Sequence, residues 1–94
     1  MIIQIYNWQF NVVEIEIPDD KWGEIIYAKK TIHLKQDLHY DLKRQTLIHE
    51  IVHAIQYFMG YNEQLGKEET CNFIAAHFDV ISKALNDYFG EVKE

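Results

Sequence analysis

The chain has 94 residues, enough for one small domain with a single core and no separate substrate-binding domain. Its composition, 48% hydrophobic with one proline and four glycines, is that of an ordinary globular protein and excludes disordered, repetitive and low-complexity classes. The formal net charge of -6, with no basic cluster longer than a pair, argues against nucleic acid as a partner, because phosphate contacts need concentrated Lys and Arg.

The single cysteine, Cys71, allows no disulfide within the chain, which favours a reducing compartment. A lone cysteine on a helix is more often a small core residue than a metal ligand, so we expect Cys71 to be buried. No signal-peptide pattern opens the sequence, and no stretch approaches the roughly 20 apolar residues that span a membrane. These features predict a cytoplasmic protein with no membrane partner.

The first third of the chain alternates apolar and polar residues, which is typical of half-buried strands. This alternation predicts strands within 3–5 and 10–17. A second pair of strands, 24–28 and 31–35, is separated by two lysines and predicts an antiparallel hairpin. A helical alternative stays open for 19–24 and for part of the first long strand.

The periodicity changes from that of a strand to that of a helix after Asp37. A short carboxylate at Asp37 or Asp41 is the expected N-cap, because it accepts hydrogen bonds from first-turn amides. Apolar residues then recur three and four positions apart, which predicts a helix over about 41–59 that Gly60 ends.

A second helix is predicted over about 67–89, after a polar loop at 61–67, and Gly90 ends it. The apolar stripe that we expect to face the core consists of Ile74, Phe78, Ile81 and Leu85. Most aromatic residues are likewise expected in the core, since a small domain needs large side chains to bury enough area. The predicted fold class is α+β, a small antiparallel sheet followed by two long helices, in one domain over 1–94.

The first predicted helix contains the sequence His49-Glu50-Ile51-Val52-His53. Residues four apart on a helix lie about 40° apart around its axis and roughly 6 Å apart along it, so two imidazoles can bind one metal ion. Glu50 lies about 100° round from His49, where its carboxylate can reach a water at that metal without being a ligand.

A pair of histidines four apart on an exposed helix is sometimes incidental, and so short a motif has false positives. Here the motif lies in an apolar run, where two histidines and a carboxylate are costly to bury without a partner. A metal ion is the simplest partner, and this residue set is typical of Zn²⁺. We therefore predict a zinc site at His49 and His53, which needs a third protein ligand and an open position to be catalytic.

The third ligand has to come from another part of the chain. Metalloproteases of the metzincin class use a histidine one turn further on, after a glycine, but Gln56 and Met59 occupy those positions here. A glutamate on the following helix is the remaining common option. Glu68 and Glu69 both lie at the start of that helix, which a short loop would fold back antiparallel onto the first.

The His-Glu-x-x-His motif followed by Glu69, Phe73 and Ala76 resembles the gluzincins, the thermolysin-like zinc peptidases. The order of the predicted elements, strands first and two helices after them, also resembles that of the compact zinc-peptidase domains of phages and mobile elements, related to the ImmA/IrrE type. The resemblance covers roughly residues 24–85 and implies a minimal zincin-like fold with Glu69 as third zinc ligand. The aromatic at Phe73 favours Glu69, whereas the apolar stripe favours Glu68, which stays the alternative.

By the same resemblance, Glu50 is implied as the general base and proton shuttle of peptide hydrolysis by a zinc-activated water. His77 is implied as the electrophile that stabilises the oxyanion, with Tyr27 as the alternative. An aromatic residue replaces the aspartate that orients a zinc-bound imidazole in thermolysin-like enzymes, so Asn72 is the candidate for that role. Substrate is expected to add as an antiparallel strand along 24–28.

The sequence therefore predicts a minimal zinc metallopeptidase that acts on a peptide or protein substrate. Two other functions stay open: a non-catalytic zinc module that binds another protein, and a metal-dependent hydrolase of a non-peptide amide. The intact Glu50 favours catalysis, since a structural site needs ligands but no base. The short chain, which leaves little for a deep specificity cleft, is the main point against catalysis.

Overall fold

The computed structural model describes residues 1–18, 20–60 and 66–90. Four strands come first and two long helices follow, which confirms the predicted α+β class. The elements are β1 (Ile2–Ile5), β2 (Trp8–Ile15), β3 (Gly23–Ile26), β4 (Thr31–Lys35), α1 (Tyr40–Met59) and α2 (Lys67–Phe89). Most of the predicted polar loop, residues 61–65, lies outside the described residues. Neither helix in the described ranges is long and apolar enough to cross a bilayer.

The sheet has the strand order β1-β2-β4-β3, so β1 and β3 lie at its edges. The two outer pairings are antiparallel, but the central strands β2 and β4 run parallel, with Val12 beside Ile32. The sheet is therefore mixed, and the expectation of a purely antiparallel sheet is wrong at this pairing. Alternation of apolar residues does not reveal strand direction, because it determines only which side chains face the core.

The hairpin formed by β3 and β4 confirms the predicted pairing of 24–28 with 31–35, although β3 ends at Ile26. One 3₁₀ turn over Tyr27–Lys29 connects the two strands. Lys30 then adopts a left-handed conformation with φ 46°, which turns the chain into β4.

One face of the sheet packs against both helices, and the hydrophobic core lies between them. The largest side chains with no exposed surface are Ile3, Ile5, Phe10, Ile32, Leu34, Leu47, Ile51 and Ile55. Burying one such side chain contributes about 1.5–3 kcal/mol, so this shared core is the main source of the stability of the domain.

Both helices end at the predicted glycines and α2 begins at Lys67 as predicted, but the predicted N-cap of α1 is wrong. Gly60 and Gly90 end α1 and α2 in left-handed conformations, with φ 74° and 63°. The N-cap of α1 is His39, with Asp41 in the first helical turn and Asp37 outside the helix at φ 69°. The expected cap at Asp37 or Asp41 is therefore wrong; Asp41 instead places its charge where the helix dipole favours it.

The predicted apolar stripe of α2 is confirmed at Ile81 and Leu85, which are buried, but it is wrong in the first half of the helix. There Phe73 and His77 are buried, whereas Ile74 and Phe78 are 38% and 58% exposed. Cys71 is also exposed, so the expectation that it is buried is wrong. Hydrophobic periodicity missed the buried face of this half because a histidine with a hydrogen-bond partner occupies a core position that the pattern assigns to an apolar residue.

The buried His77 joins α2 to the first strand pair. Its Nδ1 is hydrogen-bonded to the hydroxyl of Tyr6, and its ring packs against Phe73. Tyr6 lies in the turn between β1 and β2 with φ 54°, an uncommon conformation for a residue with a side chain. Burial lowers the pKa of His77, because surroundings of low dielectric constant disfavour the imidazolium ion.

The free energy of unfolding should therefore fall as the pH drops below about 6.5, the usual pKa of histidine in an unfolded chain. Between that pH and the lower pKa of His77 in the folded state, the unfolded chain binds more protons than the folded chain. Lowering the pH in this range therefore shifts the equilibrium toward unfolding. His77 alone contributes a slope of at most about 1.4 kcal/mol per pH unit.

Urea unfolding of His77→Gln at several pH values, compared with wild type, measures this contribution. The pH dependence of the variant should be shallower, while that of His39→Gln, at an exposed histidine, should match wild type. A wild-type slope in His77→Gln would show that the buried imidazole does not titrate as described.

Candidate metal centre

The first helix presents His49 and His53 one turn apart, with their rings edge to face. Their Nε2 atoms lie 3.1 Å apart. Two nitrogens at this separation, each about 2.0–2.1 Å from one zinc ion, would subtend about 100° at the metal, close to tetrahedral. The pair therefore has the spacing that a shared ion needs, and the same distance also fits a hydrogen bond between two imidazoles.

Burial differs between the two histidines and the carboxylate beside them. His49 is exposed and His53 is half-buried, whereas Glu50 is only 5% exposed. The expectation that all three groups are buried in an apolar run therefore holds for Glu50 alone. This arrangement leaves the Nε2 atoms accessible to a metal from solvent while the carboxylate is sheltered.

Burial raises the pKa of Glu50, because the ionised carboxylate is poorly solvated there. The neighbouring His49 opposes this rise in pKa, and the carboxylate of Glu24 reinforces it. A carboxyl group with a raised pKa exchanges a proton more readily near neutral pH, which is the property that a general base and acid requires.

A cleft of about 430 Å³ opens between α1 and β3, within the size range of ligand-binding pockets. Its lining consists of Asp20, Lys21, Trp22, Gly23, Gln45, Thr46, His49 and Glu50. One residue of the histidine pair and the buried carboxylate thus share a single cleft, and the start of an edge strand forms its opposite wall.

The strand β3 comes closest to α1 at Gly23. A Cβ built on this glycine lies 2.7 Å from Cγ2 of Thr46, 3.1 Å from the carbonyl oxygen of His33 and 3.3 Å from Oε2 of Glu50. Any side chain here would push α1 away from the edge strand or displace the carboxylate of Glu50. The position and burial of Glu50 therefore depend on glycine at this point.

The edge of the sheet beside the cleft carries outward-pointing backbone groups. The Lys35 amide donates to the Trp22 carbonyl (2.8 Å), so these two residues form a hydrogen-bonded pair of the β3–β4 ladder. Hydrogen-bonded and non-hydrogen-bonded pairs alternate in an antiparallel ladder. Gly23 and Ile25 are therefore non-hydrogen-bonded positions, whose N–H and C=O groups point away from β4.

The predicted third ligand has a different partner in this structure. Glu69 is exposed at the start of α2, and its Oε1 accepts a hydrogen bond from the Gly66 amide at 2.7 Å. Glu68 is also exposed. Among the described residues, no three His, Cys, Asp or Glu side chains lie close enough together to hold one ion. The assignment of Glu69, with Glu68 as the alternative, stays a prediction.

The two candidate electrophiles lie in different places. His77 packs against Tyr6 and is not part of the cleft lining, so its predicted role gains no support from its position. Tyr27 directly follows β3 and stacks on Tyr57, which lies one turn beyond His53 on α1. The structure therefore brings Tyr27, rather than His77, to the side of α1 that carries the histidines. Asn72 is exposed on α2.

Sequence reasoning found the histidine pair and Glu50 but gave no role to Gly23 or Trp22. The available signal was a glycine at the start of a predicted strand, which often marks a close backbone approach. No protein-family model, curated protein or solved structure matches the chain. The case for a functional site therefore rests on its own geometry.

Substituting Gly23 tests the contact that positions Glu50. Gly23→Ala should lower the free energy of unfolding by about 1–3 kcal/mol, because the new methyl overlaps the Thr46 methyl. Adding Thr46→Ser removes that methyl but keeps the hydroxyl that donates to the Leu42 carbonyl, so much of the loss should return. Urea unfolding of the two single variants and the double variant measures this recovery. Simple additivity of the two single effects would contradict the contact.

Zinc affinity of Glu69→Gln tests the third ligand. A glutamine at this position still accepts the hydrogen bond from the Gly66 amide, so the start of α2 should be unaffected. Loss of the carboxylate should weaken zinc binding by at least about tenfold, measured by competition with a chromophoric chelator. Glu68→Gln is the matched control and should bind zinc as wild type does. The reverse pattern would assign the ligand to Glu68, and wild-type affinity in both would exclude the two residues.

Proposed function

We propose that the protein is a minimal zinc-dependent metallopeptidase that acts on peptide or protein substrates in the cytoplasm. One observation carries the proposal: the Nε2 atoms of His49 and His53 converge to 3.1 Å on the same helix that holds a buried Glu50 at a cleft. A structural zinc site needs the ligands but has no use for a sheltered base, so the burial of Glu50 favours catalysis.

His49 and His53 would hold the ion, with Glu69 as the proposed third ligand. Neutral imidazole and carboxylate are the ligand set that zinc hydrolases use, and within the described part of the chain the histidine pair alone has the spacing for this metal. When bound, the ion lowers the pKa of a water and polarises the carbonyl of the substrate. The exposure of His49 leaves room for both water and substrate on this side of α1.

Glu50 accepts one proton from the attacking water at a carboxylate oxygen while the water oxygen bonds to the carbonyl carbon of the substrate. It then delivers that proton to the nitrogen of the leaving amine as the carbon–nitrogen bond breaks. Burial supports both steps, since it keeps the carboxylate that moves the proton away from bulk solvent. The contact with Gly23 on β3 limits where this carboxylate can move.

The open edge of the sheet supports a peptide over another amide as substrate. Gly23 and Ile25 direct main-chain N–H and C=O groups toward this edge, and Gly23 lines the cleft together with Glu50. An extended peptide satisfies such groups by adding as a further strand, whereas a small amide uses few of them. The exposed thiol of Cys71 is also compatible with the reducing conditions of the cytoplasm.

Cleavage by Glu50→Gln tests this function. The substitution keeps shape and zinc ligands but removes the base, so cleavage of denatured proteins should fall at least about 10²-fold. Zinc content should stay at the wild-type value. Glu16→Gln, at an exposed carboxylate outside the cleft, should cleave as wild type does.

Equal cleavage by wild type and Glu50→Gln would contradict the assigned base and point to a contaminating protease. Zinc-loaded wild type that cleaves nothing in a panel of denatured proteins and peptides would favour the non-catalytic zinc module instead.

A further inference from the structure

Two aromatic groups, Trp22 and the stacked pair Tyr27–Tyr57, lie near opposite ends of the face of α1 that borders β3. Trp22 lines the cleft and is 49% exposed. Tyr57 is 59% exposed and stacks on Tyr27, with ring centroids 4.0 Å apart and planes 15° apart. Trp22 and Tyr57 therefore contradict the expectation that the aromatic residues lie in the core. Both side chains leave about half of their surface open to solvent.

The distance between these aromatic groups is set by a strand and a helix that run side by side. Trp22 directly precedes Gly23, the first residue of β3, and Tyr27 directly follows the strand, so Gly23 and Tyr27 are four residues and about 13 Å apart along it. On α1, the Thr46 side chain approaches Gly23 and Tyr57 stacks on Tyr27. These two helix residues are eleven positions and about 16 Å apart. His49 and His53 lie between them on α1, and therefore between the two aromatic groups.

The charges along the cleft offer little selectivity. Asp20, Lys21 and Glu50 are the Asp, Glu, Lys and Arg residues of its lining. Glu50 serves proton transfer in the proposed reaction, which leaves one charge of each sign. Trp22 is the one large apolar side chain among the described lining residues, so its aromatic surface is a source of discrimination, and flat aromatic side chains bury large areas when they bind.

We propose that Trp22 and the Tyr27–Tyr57 stack are specificity-determining residues for an unfolded, extended polypeptide segment with large apolar side chains on both sides of the bond to be cleaved. The cleavage part of this inference rests on the proposed peptidase function. A strand added at the open edge places alternate side chains on the same face, so positions one, three and five face α1. Positions one and five meet the aromatic groups, and position three lies beside the histidine pair.

Peptide binding to zinc-loaded Glu50→Gln tests the inference without turnover. The probes are two unstructured nine-residue peptides that differ only at the first and last of their five central positions, with leucine in one and serine in the other. By isothermal titration calorimetry, the leucine peptide should bind at least about tenfold more tightly. Adding Trp22→Ala or Tyr57→Ala should remove most of that difference. Phe78→Ala, at an exposed aromatic residue on α2 that does not line the cleft, should keep it.

Equal affinity for the two peptides would overturn the inference, as would an equal loss in Phe78→Ala. Trp22→Leu and Tyr57→Leu keep apolar bulk and should retain part of the preference, which guards against variants that fold poorly. A leucine preference without any cleavage by wild type would uphold this specificity while refuting the peptidase. Cleavage of both peptides at equal rates would uphold the peptidase function and refute this specificity.

Discussion

The lack of a side chain at Gly23 lets α1 lie directly against the edge strand β3. The Thr46 methyl and the Glu50 carboxylate come within 2.7 and 3.3 Å of the position that a Cβ would occupy. At this close approach Glu50 is buried and desolvation raises its pKa, while His49 beside it on α1 is exposed at the cleft. Gly23 therefore links the packing of α1 on β3 to the position of the proposed general base.

The two edges of the sheet differ in a way that fits this arrangement. At β1, the outward amide of Gln4 donates to the carboxylate of Asp87 on α2, so the second helix covers that edge. At β3, the outward N–H and C=O groups of Gly23 lie beside the cleft. An uncovered edge strand invites pairing with another chain, and proteins usually block it. A substrate that binds as an added strand needs one accessible edge next to the catalytic group. The β3 edge, beside the buried carboxylate of Glu50, meets this need, whereas α2 contacts the β1 edge.

Local pattern was enough to predict the fold class, both helices and the β3–β4 hairpin, because each depends on residues close in sequence. The parallel pairing of β2 with β4 and the buried face of the first half of α2 depend on partners far along the chain. There His77 occupies a buried position and is hydrogen-bonded to Tyr6. At the site, the histidine spacing was visible in the sequence, whereas the contact at Gly23 requires the packed structure.

The central claim is that His49 and His53 hold one zinc ion beside Glu50, and X-ray absorption at the zinc edge of the loaded protein tests it most directly. The account predicts two imidazole nitrogens at about 2.0–2.1 Å, with oxygen atoms completing a coordination number of four or five. A sulfur atom at about 2.3 Å, or a shell of six oxygens without imidazole scattering, would contradict it.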